Sequence, residues 1–302
     1  MKITAVLLGT LPLASLLAAC GGDVQSDDTR VVASFYPYAY VAEQVGGTHV
    51  EVDNLTSPGV EPHDIELKPK QVGAVQTADL VVYQRGFQTA VDDAVDQADR
   101  SGDDVLDVAK VVHLDHAESE DDHGHDEHSD LDPHTWLDPR TMIAVTEAVE
   151  ARLSDADPDH ASEFAANARR LEGELKQLDG DFTAGLKTCK TRTIVTSHAA
   201  FHYLAERYGL TQVPIAGLDP ANEPSPSQLA DISSLVRRDG ITTIFTEELV
   251  SPAIADTVAR ETGARTATLD PIEGLGEGTR DETYLTLMHL NLDTLRKANS
   301  CT

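Results

Sequence analysis

Short runs rich in valine, isoleucine and threonine alternate along the chain with longer stretches whose apolar residues recur every three or four positions. Runs of the first kind, bounded by turn residues, predict strands; the periodic stretches predict helices. In the first half strands are expected at 31–35, 49–56, 80–83 and 105–108, with helices at 37–45, 68–78 and 88–98. The second half keeps the rhythm without a close sequence repeat. Its strands are expected at 193–196, 212–215, 241–246 and 265–269, and its helices at 199–208, 225–240, 251–263 and 281–297. Such alternation is the signature of α/β architecture with mainly parallel sheets flanked by helices.

Between the halves, Met142, Val145, Val149 and Leu153 keep a helical period. Asp157-Pro158 then offers a cap and first-turn pair. Behind it Phe164, Ala168, Leu171, Leu175, Leu178, Phe182 and Leu186 fall on one stripe, predicting a helix on the order of 40 Å long at about 1.5 Å per residue. The expected organisation is two α/β lobes, 30–157 and 189–302, joined by one long linker helix at 158–188.

The start of the chain belongs to neither lobe. Residues 1–19 carry Lys2, an apolar run and small residues before Cys20, the layout of a secretory signal and too short for a comfortable membrane span. Leu17-Ala18-Ala19-Cys20 resembles a bacterial lipobox, implying cleavage before Cys20 and lipidation of its thiol, with 20–29 as a flexible tether. Export makes a disulfide between Cys189 and Cys301 plausible.

Charge narrows the partners. With 52 acidic against 23 basic residues the formal charge is -29, which disfavours nucleic acid and anionic lipid and draws in cations. Six of the twelve histidines lie between His113 and Asp138: His113, His116, His123, His125, His128 and His134. The segment 113–130 is acidic and has no hydrophobic period, so its composition predicts a mobile, solvated loop carrying weak metal sites at its five histidines. Asp132 to Pro139 is stiffened by two prolines and anchored by Trp136, which sets His134 apart.

Other candidate ligands follow predicted strands: His63 after the second, His198 after 193–196, Asp270 after 265–269. Open α/β sheets bind ligands at that edge. If two lobes face each other across a cleft, His63 and His134 come from one and His198 and Asp270 from the other. Three imidazoles and a carboxylate suit tetrahedral zinc. His202, one turn after His198, could share its helix face and is read as a structural or rim residue. Glu61, Glu247 and Glu248 are alternative oxygen donors, with Glu247 also a candidate hydrogen-bond partner for a ligand.

Four stretches, GVEPHDIELKP at 59–69, DPHTWLDP at 132–139, SHAAFHYLAERYGL at 197–210 and TLDPIEG at 268–274, resemble the zinc-binding members of the cluster A-I substrate-binding lipoproteins of bacterial ABC metal importers. The resemblance covers essentially all of the mature chain. It implies His63, His134, His198 and Asp270 as metal ligands, Zn2+ as the transported ligand and a membrane permease driven by a cytoplasmic ATPase as partner. It also implies a monomer held by lipid on the outer face of the cytoplasmic membrane. Three histidines favour zinc over manganese, which prefers oxygen-rich octahedral sites.

Competing readings are a manganese-binding importer subunit, a metal-dependent adhesin, a metal buffer and a secreted zinc hydrolase. The hydrolase fits least, since HAAFH at 198–202 has paired histidines but no Glu after the first to act as base. Because imidazoles bind metal when neutral, affinity should fall as pH drops through about 6 to 7. A long linker helix should restrict release to small tilts or local loop movement.

Overall fold

The computed structural model describes residues 28–100, 102–116 and 131–302. The expected signal segment, the Cys20 lipidation site and its tether up to residue 27 lie outside these residues, as do His123, His125 and His128. Among the described residues no helix is long and apolar enough to cross a membrane.

In the first half, strands β1 (Thr29–Ala33), β2 (Val50–Asn54), β3 (Leu80–Tyr83) and β4 (Val105–Asp107) form one sheet in the order β2-β1-β3-β4, with every pair parallel. Helices α1 (Tyr36–Gly46), α2 (Pro69–Thr77) and α3 (Thr89–Gln97) make the crossovers. The second half repeats the topology: β5 (Thr193–Thr196), β6 (Thr211–Pro214), β7 (Thr243–Thr246) and β8 (Arg265–Thr268) pair in parallel in the order β6-β5-β7-β8. The strands β3 and β7 are buried at every position, as expected for central parallel strands covered on both faces.

Two helices lie between the sheets in sequence. In α4 (Pro139–Ala156), Met142, Val145, Val149 and Leu153 are all buried, and Asp138 caps its start by accepting from Arg140 N. The helix α5 (Ala161–Gly185) buries Phe164, Ala168, Leu171, Leu175, Leu178 and Phe182. It begins three residues later than the Asp157-Pro158 pair suggests. α4 runs on to Ala156, Asp157 N closes it on Leu153 O, and the Asp157 carboxylate is taken up by His160 Nδ1 at 2.6 Å. A cap-like pair thus serves the tight turn between two helices.

α5 packs against α1 and α4 and, near its far end, against α9 (Tyr284–Ala298) from the second half. One apolar cluster consequently runs through both halves. It joins Val31, Phe35 and Val41 to Trp136, Met142, Leu171 and Phe182, and on to Phe201, Leu269, Tyr284 and Leu292. Two smaller clusters cover the outer faces of the two sheets. Trp136, fully buried, ties the halves by polar contacts as well: its Nε1 donates to Pro271 O at 2.7 Å, and its carbonyl accepts from Tyr284 Oη at 2.6 Å.

The remaining second-half helices are α6 (His202–Tyr208), α7 (Pro226–Asp239) and α8 (Ala253–Thr262). α7 starts with a capping box between Ser225 and Gln228 and ends at Gly240, whose φ of 65° the absence of a Cβ permits. α6 starts at His202 and not at Ala199, so residues 198–201 are non-helical. His198 and His202 therefore do not share a helix face.

Cys189 and Cys301 form a disulfide that ties the last residues to the chain just before β5. It closes a loop with a sequence separation of 112 residues. Cys189→Ser should lower unfolding free energy by about 2–4 kcal/mol, read from urea melts. Superimposable melts of the parent and the variant would contradict this.

Candidate metal centre

His63, His134 and His198 converge at the carboxyl edges of the two sheets, and the carboxylate that meets them is Glu273. One donor atom from each of the four lies within 4.8 Å of all the others. Glu273 Oε1 stands 3.4 Å from His63 Nε2, 3.4 Å from His134 Nε2 and 3.2 Å from His198 Nε2. The two buried imidazoles, His134 and His198, approach each other to 3.4 Å at Nε2.

Each histidine is held from behind. His134 follows β4 in the chain, and its turn is anchored by Gln84 at the end of β3. Gln84 Nε2 donates to Pro133 O at 2.8 Å while Gln84 Oε1 accepts from Tyr38 Oη at 2.6 Å. The Asp132 carboxylate then accepts from both the backbone N and Nδ1 of His134, at 2.9 and 2.7 Å. His198 follows β5, and Glu247 at the end of β7 takes its Nδ1 at 2.7 Å and its backbone N at 3.2 Å. With Nδ1 given to a carboxylate, each ring presents Nε2 to the centre, the arrangement that fixes tautomer and orientation in metal-binding histidines.

His63 sits on the loop after β2. Gln88 fixes that loop by donating to Pro62 O, Glu61 accepts from His63 N at 3.1 Å, and the Phe87 ring packs edge-on to the imidazole at 4.8 Å. Its side chain is 9% exposed, against 0–1% for the other three, which makes it the donor nearest solvent.

Asp270 is not in this group. Its Oδ1 accepts from Ile272 N at 2.8 Å, and its backbone N–H and carbonyl both pair with the Asn291 side chain. Ile272 has φ of 57°, a conformation costly for a β-branched residue, and it is fully buried. The Asp270 carboxylate and the Ile272 burial together hold this strained turn, which swings Glu273 into the cleft. Asp270, expected beside the three histidines, lies outside their group, and Glu273, three residues on, takes that place in the geometry. Both acids follow β8 within the same short motif, and only the backbone conformation separates their roles. Glu273 and Asp132 were both missed from sequence. The proximity of Asp132 to His134 was the available signal for the latter.

The remaining candidates fall around the edge. Glu247 contacts His198 and not the centre. Glu61 Oε1 is 4.0 Å from His63 Nε2, and Glu248 packs against Gly276 and Gly278. His202 faces Asp115, 3.6 Å from its carboxylate. His113 also lies beside Asp115, at 3.3 Å, and His116 forms a backbone bridge with Leu131.

Electrostatics show what the centre is built to hold. Burial alone would raise the Glu273 carboxyl, but the positive charge of His198 and hydrogen bonds from His134, His198 and His63 hold it well below the usual range. Burial would likewise lower His198; Glu247 and then Glu273 outweigh it and raise the imidazole to about 10. His134 is raised too, its burial overcome by Asp132 and Glu273. The Asp270 carboxyl is pushed up to about 7 by burial, only partly offset by the Ile272 N–H, with Glu273, Glu248 and Glu247 adding to the rise. Glu273 Oε2, Glu247 Oε2 and Asp270 Oδ2 are buried without a partner. Three imidazole nitrogens and a carboxylate with a spare oxygen fit a divalent cation of the zinc class.

A family model described as zinc-uptake complex component A, periplasmic (ZnuA), matches residues 31–298. The zinc-binding lipoprotein AdcA of Streptococcus pneumoniae strain R6 is 36% identical over 306 residues, covering 98% of this chain and 61% of its own length. The chain thus spans about three-fifths of that relative. The high-affinity zinc uptake system protein ZnuA of Bacillus subtilis is 34% identical over 298 residues, 93% of both chains. Among solved structures, the Zn(II)-bound ZnuA-like domain of S. pneumoniae AdcA superposes with a TM-score of 0.76 at 34% identity, covering 90% of this chain and 99% of that one. The laminin-binding protein Lmb of Streptococcus agalactiae, described as bifunctional with adhesin and metal-transporting activity, gives 0.79 at 33% identity, covering 89% and 99%. By the extent of the family match and of these identities, the chain belongs to the ZnuA family of zinc-uptake complex components.

Proposed function

We propose that this protein captures Zn2+ outside the cytoplasm and delivers it to the permease of an ABC-type importer, with His63, His134, His198 and Glu273 as its ligands. The observation that carries the reading is the single carboxylate, Glu273, set 3.2–3.4 Å from three imidazole Nε2 atoms. Four converging side chains of this kind match a tetrahedral zinc shell and leave manganese poorly served. The family description names an uptake component, a binding role and not a hydrolytic one. In keeping with that, the paired histidines of a hydrolase motif do not converge here, since His202 turns to Asp115. The lipid anchor at Cys20 and a monomeric state remain part of the proposal, the first resting on the lipobox and on the lipoprotein relatives.

Release follows from the packing. A core continuous through both halves and a helix that touches both oppose wide hinge opening. His63 is the most exposed of the four donors, and its loop meets the second half where Gly59 N donates to Leu275 O at 2.8 Å. We assign to this loop the gating step, with His134, His198 and Glu273 staying in place.

Glu273→Gln and His134→Ala should each weaken zinc binding more than Asp132→Asn, which acts through His134 and should cost about 10–100-fold. Asp270→Asn should cost less affinity than Glu273→Gln. Competition with a chromophoric chelator measures all four, and an Asp270→Asn loss exceeding that of Glu273→Gln would reverse the ligand assignment.

In the metal-free protein His198, raised to about 10, carries a proton on Nε2 at neutral pH that zinc must displace. Raising pH removes that proton in advance, so affinity rises with pH up to that value. It falls by about tenfold per pH unit below it for each proton displaced. The competition therefore extends well above the range set by an ordinary imidazole. Calorimetry at neutral pH in buffers of different ionisation enthalpy should show net proton release; binding enthalpy independent of buffer would contradict it.

A further inference from the structure

A second set of metal-ligating side chains lies outside the principal site, where the segment after β4 meets α6. Asp115, His202 and Glu206 each offer one donor atom, all within 4.8 Å of one another. His202 Nε2 is 3.6 Å from Asp115 Oδ2, and His202 and Glu206 stand one helical turn apart on the same face of α6. Among the described residues the ionic partners of Asp115 are both imidazoles, His113 at 3.3 Å and His202 at 3.6 Å. The neighbouring guanidiniums are committed elsewhere: Arg207 gives Nε and Nη2 to Asp138, and Arg140 gives Nε to Asp179.

The group is built and not merely gathered at a surface. Asp115 N donates to Tyr203 Oη at 2.8 Å, Tyr203 Oη donates to Asp132 O at 2.8 Å, and Asp132 N donates back to Asp115 O at 2.8 Å. His116 and Leu131 close the base of this arrangement as an antiparallel bridge. Donors from two distant parts of the chain are thereby fixed against each other. A groove of about 540 Å³ reaches two of the three donors, Asp115 and Glu206, and is lined also by His113, Asp138, Arg140 and Tyr203.

We propose that Asp115, His202 and Glu206 form a second, weaker Zn2+ site. Zinc bonds of about 2.0–2.2 Å require the donors to close in on the ion, a small rotation for His202, which is partly buried, and for Glu206, which is exposed. Three protein ligands leave a coordination position for water, so the ion exchanges faster than at a site with four. The position suits a staging role. Asp132, whose backbone is tied to Asp115 and Tyr203, is the residue whose carboxylate orients His134 in the principal site. The proposal does not depend on the ligand assignment of the principal site.

The test is a Zn2+ titration of the full-length chain, following the ring signals of His202 and of His63 by NMR, with calorimetry on the parent, His202→Gln and Glu206→Gln. The His202 signals should move as zinc is added beyond the first equivalent. Each variant should weaken one of the later equivalents by about tenfold or more, with the first left within a few-fold of the parent. His202 signals that stay unmoved throughout, with every later equivalent surviving in both variants, would overturn the proposal and assign the weaker binding to other histidines. The His63 signals report the principal site separately, so a failure there is read apart from a failure at His202.

Discussion

The structure depends on one buried charge. Glu273 lies almost wholly out of water, at the place where the two halves meet. An unpaired carboxylate there would cost several kcal/mol in desolvation. Three imidazoles share that charge, and two of them are in turn backed by Asp132 and Glu247. On the proposed reading, protons on His134 and His198, both raised by their carboxylate neighbours, balance Glu273 where a divalent cation would otherwise do so.

The framework keeps that arrangement from dispersing. Both sheets deliver their loops to a common edge, and the core that runs between them through α5, Trp136 and Tyr284 prevents the edges from drifting apart. A rigid pair of lobes with a pre-set centre would bind tightly and release poorly unless one ligand could leave alone. We propose His63, the most exposed of the four donors, as the one that leaves.

Much of this was legible in the sequence because it was written in periodicities. The apolar stripe from Phe164 to Phe182 and the four short runs in each half specify elements by pattern alone; His63 and His198 stand out by their place after strands, and His134 by the prolines and Trp136 around it. What was not legible depended on backbone conformation. Asp270 and Glu273 are both carboxylates in the short motif after β8, two and five residues past its end; the left-handed turn at Ile272 decides which one enters the cleft. In the same way HAAFH reads as one helical turn, yet the chain stays extended or bent until His202, so the two rings point to different sites. Asp157-Pro158 has the composition of a helix start and instead closes the turn before one. Local residue choice names the candidates in these cases, and tertiary packing selects among them.

The central claim is that three imidazoles and Glu273 form one zinc shell. A crystal structure of the zinc-loaded protein, with anomalous data collected at the zinc edge, tests it most directly. The strongest anomalous peak should be bonded at about 2.0–2.2 Å to His63, His134 and His198 through Nε2 and to a Glu273 oxygen, with Asp270 still capping its turn. A strongest peak bonded to Asp270, or one lying away from these three histidines, would contradict it.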